Sequence, residues 1–181
     1  GTVTGHLGER GQQRDQDMLD YWKLELPSDG NLELDVTTSE KLNLYGGVYL
    51  YDSDKKEELY WAHHSSDSHE THSRKALKAG TYYVLMGKDT RVSYWGSYQL
   101  KALHTPVPVN NDQENNNEFS SAVEISTTTI TGHLGYVGQG FYDGGDWYQF
   151  TLDKQAEITF DLTTSEKLNI RGNYGFAVFA G

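Results

Sequence analysis

One nine-residue block occurs twice in this chain, and that duplication constrains the fold more than any local signal. Asp35-Val-Thr-Thr-Ser-Glu-Lys-Leu-Asn43 returns as Asp161-Leu-Thr-Thr-Ser-Glu-Lys-Leu-Asn169, an offset of 126 residues from 35 to 161, with a single Val-to-Leu change. An offset this long is too large for a solenoid repeat and implies tandem copies of one globular module. The match extends upstream, where Thr2-Val-Thr-Gly-His-Leu-Gly8 returns as Thr129-Ile-Thr-Gly-His-Leu-Gly135, offset by 127. The second copy therefore loses one residue between the blocks, within the polar stretch that follows Gly8, as a surface loop allows.

Between the blocks the side-chain alternation is kept. Trp22, Leu24, Leu26 and Leu32, Leu34, Val36 correspond to Tyr148, Phe150, Leu152 and Ile158, Phe160, Leu162, whereas the intervening positions drift, Lys23 to Gln149 and Glu33 to Thr159. One buried and one solvated face per strand accounts for both observations. Short alternating runs with turn residues between them, and no amphipathic helix, predict an all-β fold of antiparallel sandwich modules. The expected strands are 2–7, 20–26, 31–36, 42–44, 48–51, 59–62, 81–86 and 94–103. Pro27-Ser-Asp-Gly30 reads as a tight turn that joins 20–26 to 31–36 in a hairpin, and His63 to Lys75 reads as a polar loop.

The repeat divides the chain into a first module over residues 1–104, an acidic Asn-rich linker over 105–118 and the first half of a second module over 119–181. A sheet that stops partway leaves an open edge. The chain is thus expected to be a piece of a longer protein, or to have its second module completed by a strand from a neighbouring chain.

The charge balance narrows the function. With 26 acidic and 15 basic residues the net charge is −11, which disfavours nucleic acid, whose phosphates need a basic surface. It suits an extracellular protein or one that gathers divalent cations. There is no cysteine, hence no disulfide or thiolate chemistry, and no apolar run long enough to span a bilayer.

Residues 110–118 hold three acids and five Asn. Ca²⁺ takes six to eight hard oxygens from such side chains and from carbonyls, so this arm is a candidate cation site, although a solvated linker has the same composition. The stretch His63-His-Ser-Ser-Asp-Ser-His-Glu-Thr-His72 brings four imidazoles and two acids together. Zn²⁺ is not expected there, because His69 and His72 are separated by two residues, not the three of a helical zinc motif. The chain is 13% aromatic. Tyr82, Tyr83, Tyr94, Trp95 and Tyr98 fall on neighbouring late strands, and alternation sends about half of them inward; the rest either form a stacking platform or, the reading that residue statistics favour, are surface tyrosines scattered around a sandwich core. No nucleophile motif, phosphate loop or paired catalytic carboxylates emerge, so no enzymatic activity is expected.

Asn116-Asn-Glu-Phe-Ser-Ser-Ala-Val-Glu-Ile125, Gly132-His-Leu-Gly135 and Asp146-Trp-Tyr-Gln-Phe-Thr-Leu152 resemble the opening of a bacterial pre-peptidase C-terminal domain. The first copy carries the later parts of that pattern, Asn43-Leu-Tyr, Val48-Tyr-Leu-Tyr-Asp52 and Ala79-Gly-Thr-Tyr-Tyr-Val84. The collagen-binding domains of clostridial collagenases are similar. The resemblance implies a jelly-roll-like sandwich that is secreted and non-catalytic, and that targets or spaces a larger protein. It also implies Ca²⁺ held by Asp112, Glu114, Asn116 and Asn117 of the arm with Asp143 and Asp146 of a loop; Asp17 and Asp20 are the first copy's loop equivalents. Tyr82, Tyr94, Trp95 and Tyr98 are the corresponding candidates for ligand contact. The expected partner is an extracellular protein or polysaccharide polymer, or a neighbouring copy of the chain. The competing expectations are a filament or surface-layer subunit completed by strand exchange, and a carbohydrate-binding module.

Overall fold

In the computed structural model, the residues described are 1–8, 17–39, 42, 48–53, 58–62, 69–87, 95–107, 116–125, 129–164 and 178. The chain enters through strand β1 (Thr2–Leu7), followed by β2 (Leu19–Leu26), β3 (Gly30–Thr38), β4 (Val48–Tyr51), β5 (Glu58–Ala62), β6 (Glu70–Leu77), β7 (Gly80–Gly87) and β8 (Gly96–Pro106). These eight form two antiparallel sheets, ordered β1-β8-β3-β6 and β2-β7-β4-β5. Strands alternate between sheets along most of the chain, and the two orders together are the wiring of a jelly roll, an eight-stranded sandwich of two Greek keys. The all-β sandwich expected from the sequence is thus the fold of the first copy.

Alternation builds the core as expected. Leu32, Leu34 and Val36 of β3 are at most 3% exposed, and they face Leu50, Tyr82, Val84 and Met86 of the opposite sheet in one cluster, with Trp22 and Leu24 packed against it. Burying a side chain of this size contributes roughly 1.5–3 kcal/mol, which accounts for the apolar residues at these positions of the first copy.

Two local expectations are corrected. Residues 20–36 are not a hairpin, because β2 pairs with β7 and β3 pairs with β6 and β8. The turn at 27–30 instead carries the chain from one sheet to the other. Both flanking strands must point their leucines at the same core, which places them on opposite sides of it. Asp29 anchors the crossing by accepting from the Ala79 amide at 2.7 Å and from Lys78 Nζ at 3.0 Å. The second correction is β6, which lies partly where a polar loop was expected. Its inward residues Thr71, Ser73 and Leu77 are buried, but two of the three are hydroxyl side chains, so hydrophobic periodicity did not mark the strand. Leu42 is buried outside any strand, and 43–44 lie outside the described residues.

The second copy begins with a 3₁₀ turn, Phe119–Ser121, and contributes four two-residue strands, β9 (Val123–Glu124), β10 (Val137–Gly138), β11 (Phe141–Tyr142) and β12 (Tyr148–Gln149). β12 pairs in parallel with β9. β10 and β11 form a hairpin, and β10 adds in parallel to the edge of β6, with Val137 opposite Leu77, so that the first copy's sheet becomes six-stranded. Residues 150–164 belong to no strand, and Leu152, Ile158, Phe160 and Leu162 are exposed. These are the counterparts of buried residues of β2 and β3.

Candidate functional site: an arm-and-loop cation site and an aromatic sheet face

At the start of the second copy the arm is joined to the 135–147 loop by a backbone and a side-chain hydrogen bond. The Trp147 amide donates to the Asn116 carbonyl at 2.8 Å, and Asn117 Nδ2 donates to the Tyr142 carbonyl at 3.3 Å. These bonds bring Asn116 and Asn117 to Trp147 and Tyr142, the chain neighbours of Asp146 and Asp143. Asn116 is wholly buried and Asp143 is 2% exposed. A carboxylate withdrawn from water to this degree is stable as an anion only where positive charge or several donors meet it. Asn117 Oδ1 is also buried and accepts no hydrogen bond among the described residues.

Amide and carboxylate oxygens are the donor chemistry of Ca²⁺, and Asn116, Asn117, Asp143 and Asp146 supply that type of donor, so these residues fit that ion. Among the described residues no three His, Cys, Asp or Glu side chains gather to hold a metal. The set would therefore combine two carboxylates with amide and carbonyl oxygens. Asp112 and Glu114 lie outside the described residues.

One backbone bond of the second copy's loop recurs in the first copy. The Gly135 amide donates to the Asp143 carbonyl at 3.0 Å, and the Gly8 amide donates to the Asp17 carbonyl at 2.7 Å. Asp20 serves the core, because its Oδ2 accepts from the Tyr98 hydroxyl at 2.6 Å, and Trp22 Nε1 donates to that hydroxyl at 2.6 Å. Burial, with the Asp20 carboxylate adding to it, raises the Tyr98 phenol above its usual range. His69 and His72, the described part of the histidine stretch, are engaged separately. His69 Nδ1 lies 3.4 Å from Thr38 Oγ1, and His72 Nδ1 lies 2.5 Å from Asp35 Oδ1.

The tyrosine platform does not sit where the sequence placed it. Tyr82 and Tyr98 are 0% and 2% exposed, so a polymer cannot reach them; both point inward because β7 and β8 present their even-numbered residues to the core. Tyr94 lies outside the described residues. Trp95 is exposed, its ring 6.2 Å from that of His6.

The outward aromatics belong instead to β2, β7 and β4. Tyr21 lies opposite Leu85, which lies opposite Tyr49; in the next row Lys23 lies opposite Tyr83, which lies opposite Tyr51. The Tyr49 and Tyr51 rings stack with centroids 6.4 Å apart, and Tyr21 is 50% exposed. Alternation from the inward-facing Trp22, Val84 and Leu50 would have found this face, since each of its members neighbours one of those residues. The opposite face of the sandwich is ionic, with Arg74 Nε 3.6 Å from Glu33, and with His72 and Lys101 both on Asp35.

Among solved structures the chain is similar to the pre-peptidase C-terminal domain of a collagenase from Bacillus anthracis, with 18% identity over 57% of this chain and 88% of that one, at a TM-score of 0.46. No family model matches the chain, and no curated protein matches it.

Proposed function

We propose that this chain is a non-catalytic accessory module that holds a larger extracellular protein against an extended polymer, through the aromatic face of β2, β7 and β4, with Ca²⁺ fastening the start of the second copy. The observation that carries the reading is the double row of Tyr21, Leu85, Tyr49 and Tyr83, Tyr51 on one sheet face, opposed to an ionic face on the other side. Flat aromatic rings supply large contact area at low conformational cost, and they suit a repetitive partner, protein or glycan, with a relief too shallow for a pocket.

Ca²⁺ would be held by Asn116, Asn117, Asp143 and Asp146, with Asp112 and Glu114 of the arm. When bound, the ion would add positive charge beside the buried Asp143 carboxylate.

The test is co-sedimentation of the chain with insoluble protein fibres and, separately, with insoluble polysaccharides. Retention on one of these polymers, reduced tenfold or more by Tyr49→Ala with Tyr83→Ala and unchanged by Glu33→Gln on the opposite face, is the expected result; tenfold corresponds to about 1.4 kcal/mol. Retention on neither class, or retention indifferent to the tyrosines, would sink the reading.

A further inference from the structure

The hairpin of β10 and β11 touches two things at once, the open edge of the first copy and the arm-and-loop site of the second. On the first side, the Lys78 amide donates to the Val137 carbonyl at 3.2 Å, Gln139 Nε2 donates to the Thr81 carbonyl at 2.9 Å, and Val137 packs against the first copy's core. Lys78 Nζ reaches across the hairpin, 4.4 Å from the Phe141 ring centroid and 5.5 Å from that of Tyr136, while it pairs with Asp29. Cation–ring contacts of this kind strengthen as water is excluded, and Tyr136 is 1% exposed.

On the second side, the hairpin's two ends are tied to each other and to the arm. The Asp143 amide donates to the Tyr136 carbonyl at 2.9 Å, and the Tyr142 carbonyl receives Asn117 Nδ2. One candidate ligand, Asp143, is therefore the residue immediately after β11. Two-residue strands do not hold a hairpin by themselves, so its order depends on both attachments.

We infer that the 136–143 hairpin is a latch between the copies, closed onto the edge of β6 by the same cation that occupies the arm-and-loop site. This rests on the Ca²⁺ reading above. A cation that orders Asp143 holds the hairpin in the conformation that caps β6, and docking in turn presents Asp143 to the cation. Linkage makes the coupling reciprocal, so a substitution on the first copy's side of the latch must weaken cation binding by the factor with which the cation tightens docking. When open, the latch leaves β6 an unpaired strand edge, which accepts other strands.

The experiment uses the whole chain and Ca²⁺ itself, with calorimetric titration of binding and hydrogen exchange at the Lys78 amide, with Ca²⁺ or with chelator. Ca²⁺ is expected to slow exchange at that amide about tenfold, and Lys78→Met, which removes no candidate ligand, to weaken Ca²⁺ binding by a similar factor, within the range usual for coupled sites. Gln139→Asn, which suits the positive φ of that position and shortens the reach to Thr81, is expected to shift both readouts in the same direction and serves if Lys78→Met does not fold. Calorimetric binding with no change at Lys78 would overturn the latch and leave the cation site standing. Absence of binding would overturn both.

Discussion

At the scale of single residues, Gly138 and Tyr82 depend on each other. Gly138 has φ of +108°, and a Cβ there would stand 2.5 Å from the Tyr82 hydroxyl. The turn after it, Gln139 and Gly140 at φ of 58° and 73°, is the two-residue type that suits a twisted hairpin. Gly138→Ala meets both a strained backbone and a clash with a core ring, and should cost about 2–4 kcal/mol of hairpin docking. The expected readout is lost exchange protection at the Lys78 amide while the first copy still unfolds in its own transition. Burial pushes the Tyr82 phenol up to about 12; its hydroxyl donates to the Lys78 carbonyl at 2.7 Å. A phenol whose pKa is raised by folding contributes stability that is complete below the unfolded value near 10 and is lost as pH climbs through about 12, a loss of roughly 3 kcal/mol. Thermal scans from pH 8 to 12 should show that decline, and Tyr82→Phe, though weakened by the missing hydrogen bond, should flatten it.

At the scale of elements, what the sequence revealed and what it hid have different physical causes. β3 was legible because apolar residues hold its inward positions. The outer half of β6 was not, because a sandwich core tolerates Thr71 and Ser73 near a sheet end. The 27–30 turn was read correctly as a turn and wrongly as a hairpin, since Pro and Gly fix a change of direction but not the sheet to which the next strand belongs. Asp29 settles that question through bonds to Lys78 and Ala79, residues about fifty positions away that local pattern cannot reach. Asp29→Ala should strand the Ala79 amide and loosen Lys78, destabilising the first copy by about 2–3 kcal/mol in denaturant unfolding; Asp29→Asn should recover part of that. The candidate cation site rests on composition, since the arm is rich in Asn and acid, and pattern alone says nothing of which loop the arm meets. The tyrosine face was misplaced because aromatic density marks a strand without saying which side of it faces out.

At the scale of the whole molecule, the duplication is evident in the sequence, yet the two copies are folded differently. Leu32, Leu34 and Val36 are core, whereas their equivalents Ile158, Phe160 and Leu162 are exposed. The second copy's described order is concentrated at the hairpin and around the arm. Its stability should therefore respond to cation more than the first copy's does. Ca²⁺ at a hundred times its dissociation constant adds about 2.7 kcal/mol to whatever binds it. Scanning calorimetry should show an upward shift in the transition of the second copy, removed by chelator and by Asp146→Ala, with the first copy's transition little changed. A uniform shift of both, or none, would count against the arm-and-loop assignment.

The parallel rung between β10 and β6 also has a mechanical consequence. If the chain acts as the tether proposed above, it is loaded along its length, and among the described residues the copies share one pair of strand residues, Val137 and Leu77, with side-chain ties around it. The first copy's sheets are held by ladders of up to nine paired positions. Under tension that junction is expected to yield before the first copy's sheets do and to close again when the load falls. Such a junction would act as a shock absorber between the copies.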